Sequence, residues 1–444
     1  MPSFDPLRRV SRANVPRVLQ IGVTLIELLV AMIIALLGII VIFTVFQNAE
    51  GYKRTTIAGG DAQTNGALSI FAIERYVRTA GSAITTTNES QLSSSSSPPR
   101  ANLLLGCPLF GFPNPTVVTG PAGAPTTPVA PVRIVDGGQL AGGTPATSDV
   151  LVIMAGNADL ATNPTPAAPL LVGSTAVTNV VNTFGWRAAS GTRMGDIALF
   201  VQSATTAAAT ISAMPCSARR IQGMSTATGT GTMNLAGAAA VSYNAPSTNI
   251  HNIGPTPYFL SIGVNAQQQL VQTNFSPLLT GEGAAVQTVL ADGIINLQAQ
   301  YGIDTNQDDV VDAWVEPTGV WRNPTAVNAP ATPSNAAAPG PPAINQIKAI
   351  RLAILARAVQ FEPPNRRLPT PACDITPIPV GGQDFLLPAA PVTAGSLALP
   401  QGVDILPAII ASGPSAAIDS NWQCFRYRRY ETVIPVLNMI RSPL

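Results

Sequence analysis

Four groups of residues in this 444-residue chain have side chains able to do chemistry. The first is one carboxylate, Glu27, in an apolar run. Between residues 23 and 46 the only other non-apolar residues are Thr24, Gly38 and Thr44. An acid at mid-membrane depth costs about 2.5–3.5 kcal/mol. Glu27 must therefore be protonated, drawn to the interface, or paired with a cation. The second group is Asp304, Asn306, Asp308 and Asp312, with Val311 between the last two. Alternating oxygens of this kind wrap calcium. Asp309 stands where such a loop has its glycine, and Val315 where it has its closing glutamate, so a solvated acidic turn is the other reading. The third group is the four cysteines, Cys107, Cys216, Cys373 and Cys424. None are spaced as a CxxC metal or redox site. In an oxidising compartment they would form two disulfides. Three pairings exist, and sequence proximity favours Cys107–Cys216 with Cys373–Cys424 over buried free thiols. The last is the single histidine, His251, whose Asn- and Gly-rich setting reads as a turn. No HExxH, G-x-S-x-G, Walker A or dinucleotide-binding glycine pattern is present, so the chain is expected not to be an enzyme. Trp186, Trp314, Trp321 and Trp422 are expected to pack rather than to stack on ligands.

These groups need positioning elements. Residues 23–46 are long enough to span a bilayer as a helix, which takes about 20 apolar residues. Arg8, Arg9, Arg12 and Arg17 precede it and would hold that side in the cytoplasm. A secretory signal would have a shorter apolar core and a small-residue cleavage site. The sequence after Phe46 stays helix-compatible, and no proline interrupts residues 23–81. Leu68, Ile70, Phe71, Ile73 and Val77 predict one apolar face on the second half. Gly59 and Gly60 mark a soft centre, and Gly81 a stop.

Charged residues are only 11% of the chain, against 41 Pro and 37 Gly. Residues 1–22 hold four Arg and one Asp; the remainder has 20 basic and 22 acidic residues. That balance argues against a nucleic-acid partner. Residues 82–147 read as a loop-rich, low-complexity segment, and 323–345 as a disordered insertion. Strands are predicted near 149–154, 196–202, 258–264, 269–273, 286–301 (broken at Asp292-Gly293), 347–357 and 424–435. A helix is the alternative at 347–357. Helix first and strands after predict an α+β fold: a long N-terminal helix, membrane half then amphipathic half, packed on an antiparallel β domain over 148–444.

Gly22-Val23-Thr24-Leu25-Ile26-Glu27 resembles the cleavage and methylation site of type IV prepilins. The resemblance implies a leader, residues 1–22, cut between Gly22 and Val23 by a prepilin peptidase, with Val23 then N-methylated. This leader is longer than most, and the true start would lie downstream of Met1. Further along, Asn65-Gly66-Ala67-Leu68, Arg78-Thr79-Ala80-Gly81, Ser148-Asp149-Val150-Leu151-Val152, Leu290-Ala291-Asp292-Gly293-Ile294, Gln300-Tyr301-Gly302, Ile350-Arg351-Leu352-Ala353-Ile354 and Arg428-Arg429-Tyr430-Glu431 resemble the PilW family of minor pilins.

That resemblance implies a non-enzymatic assembly protein. It would sit in the inner membrane with its globular part in the periplasm, then join a pilus through its helix, with Glu27 as the assembly residue. Implied partners are other minor and major pilins, the peptidase and a tip adhesin; no cofactor is implied, calcium at Asp304, Asn306, Asp308 and Asp312 being the one candidate. A type II secretion pseudopilin and a membrane-tethered binding module are the rival readings.

Overall fold

The computed structural model describes residues 24–84, 104–112, 127–137, 148–158, 165–181, 193–202, 216–226, 230–239, 248–306, 308–322, 324, 344–358, 425 and 427–440. Gly22, Val23, the leader, Cys373, Cys424, Trp186, Trp422 and nearly all of 323–345 lie outside these residues. The chain divides into two compact units, residues 1–56 and 57–444. One helix, α1 (Leu25–Thr79), contributes to both. Gly59 and Gly60, the expected soft centre, stay helical. About 1 kcal/mol per glycine is too little to interrupt a cooperative helix of 55 residues.

The strands follow in chain order: β1 (Pro108–Leu109), β2 (Thr127–Pro128), β3 (Val132–Val135), β4 (Val150–Ala155), β5 (Thr165–Ala167), β6 (Ala176–Val181), β7 (Ile197–Gln202), β8 (Ser217–Thr226), β9 (Thr230–Leu235), β10 (Thr248–Gly254), β11 (Tyr258–Val264) and β12 (Gln269–Asn274). A short helix, α2 (Ser276–Thr280), precedes β13 (Val286–Asp292), β14 (Ile294–Ile303), β15 (Ala313–Val315), β16 (Ile347–Arg357), β17 (Tyr427–Pro435) and α3 (Leu437–Ile440). They form antiparallel sheets of two (β1-β2), six (β5-β10-β7-β8-β9-β6), five (β13-β12-β11-β4-β3) and four strands (β15-β14-β16-β17). The fold is α+β, as the order of helix and strand patterns predicts.

Side-chain alternation assigns the layers. Leu151 and Ile153 of β4 enter a core shared with Ile73, Val77 and Ala80 of the helical segment and with Leu297, Ile350, Leu352 and Ile354 of the four-stranded sheet. Val152 and Met154 enter a second core with Ile197, Leu199 and Val201 of β7. Ala198 and Phe200, the intervening β7 residues, enter a third with Ile221, Leu235 and Ile250. The five-stranded sheet is therefore the middle layer. Its strands β4 and β11 are direct neighbours, with Ala155 opposite Tyr258. Residues 156–257 are an excursion inside that pair, and they build the six-stranded sheet. A backbone bond from Ala168 N to Thr178 O (3.0 Å) joins the two ends of its strand order.

Several expectations need correction. The loop reading of 82–147 fails at β3, whose four residues are all buried against β4; four residues among prolines and glycines carry too short a pattern. The strands β5, β6 and β8–β10 carry Ser, Thr, Asn and Gly, residues of modest strand propensity, and tertiary pairing makes them strands. Leu68 and Phe71 are exposed. The buried side of the helix instead runs through Ala62, Gly66, Ser69, Ile73, Val77 and Ala80, because small residues let helix and sheet approach. His251 is no turn residue: it lies in β10, buried.

Candidate assembly helix and its supporting sheets

In the first unit, Leu25–Gly51 contains an 18-residue window with a mean hydropathy of 3.2, none of it buried. By length and composition it can cross a membrane, 27 residues rising about 1.5 Å each against a core of about 30 Å. Glu27 is exposed in its first turn. Its backbone N–H bonds Thr24 O (3.1 Å) and, more loosely, Thr24 Oγ1 (3.4 Å). Thr24-x-x-Glu27 thus has the spacing of a helix-capping pair, a signal in the sequence that the membrane argument overlooks. An acid also suits the positive end of a helix dipole.

In the second unit, residues 57–79 of α1 lie on the four-stranded sheet. At Gly66 an added Cβ would fall within 3.0 Å of Tyr430 Cζ and closer to two further ring atoms. The ring therefore occupies the space a larger residue would need, and Tyr430 Oη donates to Gln63 O at 3.0 Å. Gly81, with φ of 81°, ends the helix, and its N–H bonds Met154 O of β4 (2.8 Å). Asn438 of α3 donates from Nδ2 to Ala80 O (2.9 Å). Both ends of the Asn65–Gly66 to Thr79–Gly81 stretch are thereby tied to sheet.

Further residues hold the two sheets together. The Asp149 carboxylate accepts from Gly137 N on Oδ1 and from Ala299 N on Oδ2, each at 2.8 Å. Asp149 N also donates to Leu297 O, and Leu297 N to Ser148 Oγ (3.1 Å). Ser148-Asp149 thus runs along β14 immediately before the chain enters β4. Burial pushes the Asp149 carboxyl well above its ordinary range, although both backbone donors oppose the shift. Tyr301 Oη accepts from Ile134 N at 2.6 Å, linking β14 to β3 across the first core. Gly293, with φ of 69°, is where the chain passes from the five-stranded to the four-stranded sheet, at the predicted break. A Cβ there would collide with the Arg357 carbonyl. On β17, Glu431 bonds both Arg351 and Arg429, and this strand is a sheet edge, where charges are tolerated. Trp314 covers Gly302, its cross-strand partner, and Trp321 lies 6.2 Å from Tyr301.

The 304–312 carboxylates accept backbone hydrogen bonds within their own loop. Asp304 accepts from Asn306 N (3.1 Å) and Asp309 N (2.9 Å), Asp308 from Val310 N (2.8 Å), and Asp312 from Thr305 N (2.7 Å). Asn306 Oδ1 accepts from Asp308 N (3.0 Å). Lys348 Nζ contacts Asp309 (2.5 Å), lies 3.8 Å from Asp304, and donates to Met439 O (2.9 Å). Among the described residues no three His, Cys, Asp or Glu are grouped to hold a metal ion. The buried Lys348 ammonium thus stands beside Asp309 and, of the four candidate calcium ligands, nearest Asp304.

Cys107 and Cys216 form a disulfide across 109 residues of sequence. Two interactions have no signal in the sequence. Arg220 of β8 forks onto Glu282 beyond α2 (2.5 and 3.0 Å), and Arg219 donates to Leu279 O (2.9 Å). The guanidinium bonds hold the Glu282 carboxyl below its usual range.

Comparison with known proteins adds one match. The family model of type IV pilus-assembly protein W, PilW, matches residues 257–385, which include β11 to β16. No curated protein and no solved structure matches the chain. The matched segment supplies three of the four strands of the sheet under residues 57–79 (β14, β15 and β16, but not β17), and the strand break at Gly293 lies inside it. Over residues 257–385, this chain is similar to the PilW family of type IV pilus-assembly proteins.

Proposed function

We propose that the protein is a minor pilin, a non-enzymatic subunit that enters a type IV pilus through its N-terminal helix. The peptide bond between Gly22 and Val23 is hydrolysed by prepilin peptidase, and the Val23 amine is then methylated. The new cationic amine of one subunit pairs with the Glu27 carboxylate of another. A charge pair of this kind contributes registry more than stability in an apolar medium. The basic flank keeps the N-terminal side cytoplasmic, and the sheets fold in the periplasm before assembly. The bulk of the second unit suits a tip complex with other minor pilins and an adhesin-like partner. What supports the reading most is one carboxylate, Glu27, at the start of an exposed apolar helical stretch of membrane length in a chain with a type IV pilus-assembly match. That match favours the pilus over a type II secretion role.

The test is Glu27→Ala in the native host. We expect membrane insertion and cleavage to proceed while the protein disappears from sheared fibres. Intact-mass analysis of the wild-type membrane form should show residues 1–22 removed and one methyl group added. Mature protein still carrying Met1 in cells with complete fibres would refute the reading.

A further inference from the structure

Residues 156–257 leave and rejoin the five-stranded sheet at hydrogen-bonded neighbours, Ala155 and Tyr258. Their six-stranded sheet is held on that base by an apolar seam. Ile197, Leu199 and Ile253 meet Val152, Met154 and Phe259 there. A tether stands beside the seam: the Cys107–Cys216 disulfide, with Phe110 N to Cys216 O at 2.7 Å and Cys216 N to Pro108 O at 2.9 Å.

The chain's one histidine stands at this seam. His251 is opposite Leu199 in the β10–β7 register and so shares its face. It is 5% exposed, and among the described residues neither ring nitrogen has a hydrogen-bond partner. The packed side chains of the seam are apolar and its two cysteines are locked in the disulfide; the charged groups that cross it are Arg220 of β8 and Glu282, paired at 2.5 and 3.0 Å. At its margin, Asp196 accepts from Asn252 Nδ2 and Arg193 N, each at 2.8 Å. Burial alone lowers the His251 pKa to about 4, with no charged group contributing.

We propose that His251 makes this seam an acid-operated hinge: a protonated imidazole can be solvated only if the six-stranded sheet lifts from its base, held by the Cys107–Cys216 tether. An unpaired cation in a dry interface is costly. With a pKa lowered by closure, the closed seam is fully stable above the ordinary histidine range, near 6.5. It weakens as pH falls toward 4, where the open-to-closed ratio has risen about 160-fold on the way to a limit of about 300-fold in stronger acid.

The test uses the full chain in detergent micelles. Hydrogen exchange, corrected for intrinsic rates, is compared at pH 7 and pH 4, and the single imidazole is titrated by NMR after ¹³C-histidine labelling. We expect residues 150–155 and 197–202 to lose protection at least about tenfold in acid while 347–357 keep theirs, since open-state population sets exchange. The imidazole should titrate well below 6.5, and His251→Leu should abolish the acid response. Three results would overturn the proposal: an imidazole titrating near 6.5 with the seam still protected, loss of protection in 347–357 together with the seam, or an unchanged acid response in His251→Leu. Should His251→Leu fail to fold, His251→Gln is neutral at every pH and must likewise abolish the response.

Discussion

Gly66→Ala is the sharpest test of how the helix is seated. In an open helix this change is favourable by about 1 kcal/mol, because alanine restricts the unfolded chain and suits the helix. At Gly66 the new methyl would lie within 3.0 Å of Tyr430 Cζ and closer to two other ring carbons. Carbon atoms rest about 3.5–4.0 Å apart, so the ring must move. Moving it breaks the Tyr430 Oη bond to Gln63 O, now 3.0 Å, worth about 1 kcal/mol. Overpacking adds about 1–3 kcal/mol. The balance is a net destabilisation of about 1–3 kcal/mol despite the helix gain. The assay is urea unfolding of the full chain in detergent, followed by tryptophan fluorescence, in a cycle with Tyr430→Ala. Without the ring, Gly66→Ala should change sign and stabilise by up to about 1 kcal/mol. The same sign and size in both backgrounds would refute the reasoning, since the glycine would then not be serving the tyrosine.

Two further outcomes are expected. Because the buried Asp149 carboxyl is raised, the native state holds a proton that the unfolded chain releases near pH 4; stability should therefore fall as pH rises from about 4 toward the native value. Asp149→Asn removes that slope but loses an acceptor for Gly137 N or Ala299 N, costing about 1–3 kcal/mol, and denaturant melts between pH 3 and 7 would expose an unchanged slope if the reasoning fails. Calorimetry with calcium at millimolar concentration should give no heat, because Lys348 Nζ already faces Asp309 and Asp304; a one-to-one binding isotherm would show the ammonium to be displaceable.

Local pattern was enough for the elements whose chemistry is concentrated. The apolar run after Thr24 needs no partner to be recognised, because it is defined by what it lacks. Antiparallel strands such as β11 and β16 follow residue alternation closely, and Gly293 announces its turn by being a glycine after an acid. The disulfide and the histidine were less legible. Proximity in sequence pointed to Cys107–Cys216, yet only folding brings residues 109 apart into bonding distance. His251 looked like a turn residue among Asn and Gly, because burial comes from β7 and the middle sheet rather than from its neighbours in sequence.

The sequence by itself determined that residues 23–46 form an apolar stretch of membrane length, that it carries a single acid near its start, and that an antiparallel β region follows. Those properties reside in composition and short-range periodicity. Tertiary structure alone decided which helix face is buried, that Lys348 answers the acidic loop, and that residues 156–257 form a sheet inserted between neighbouring strands. Each of these depends on groups far apart in the chain, and a face, an ion pair or a strand edge has no meaning until its partner has arrived.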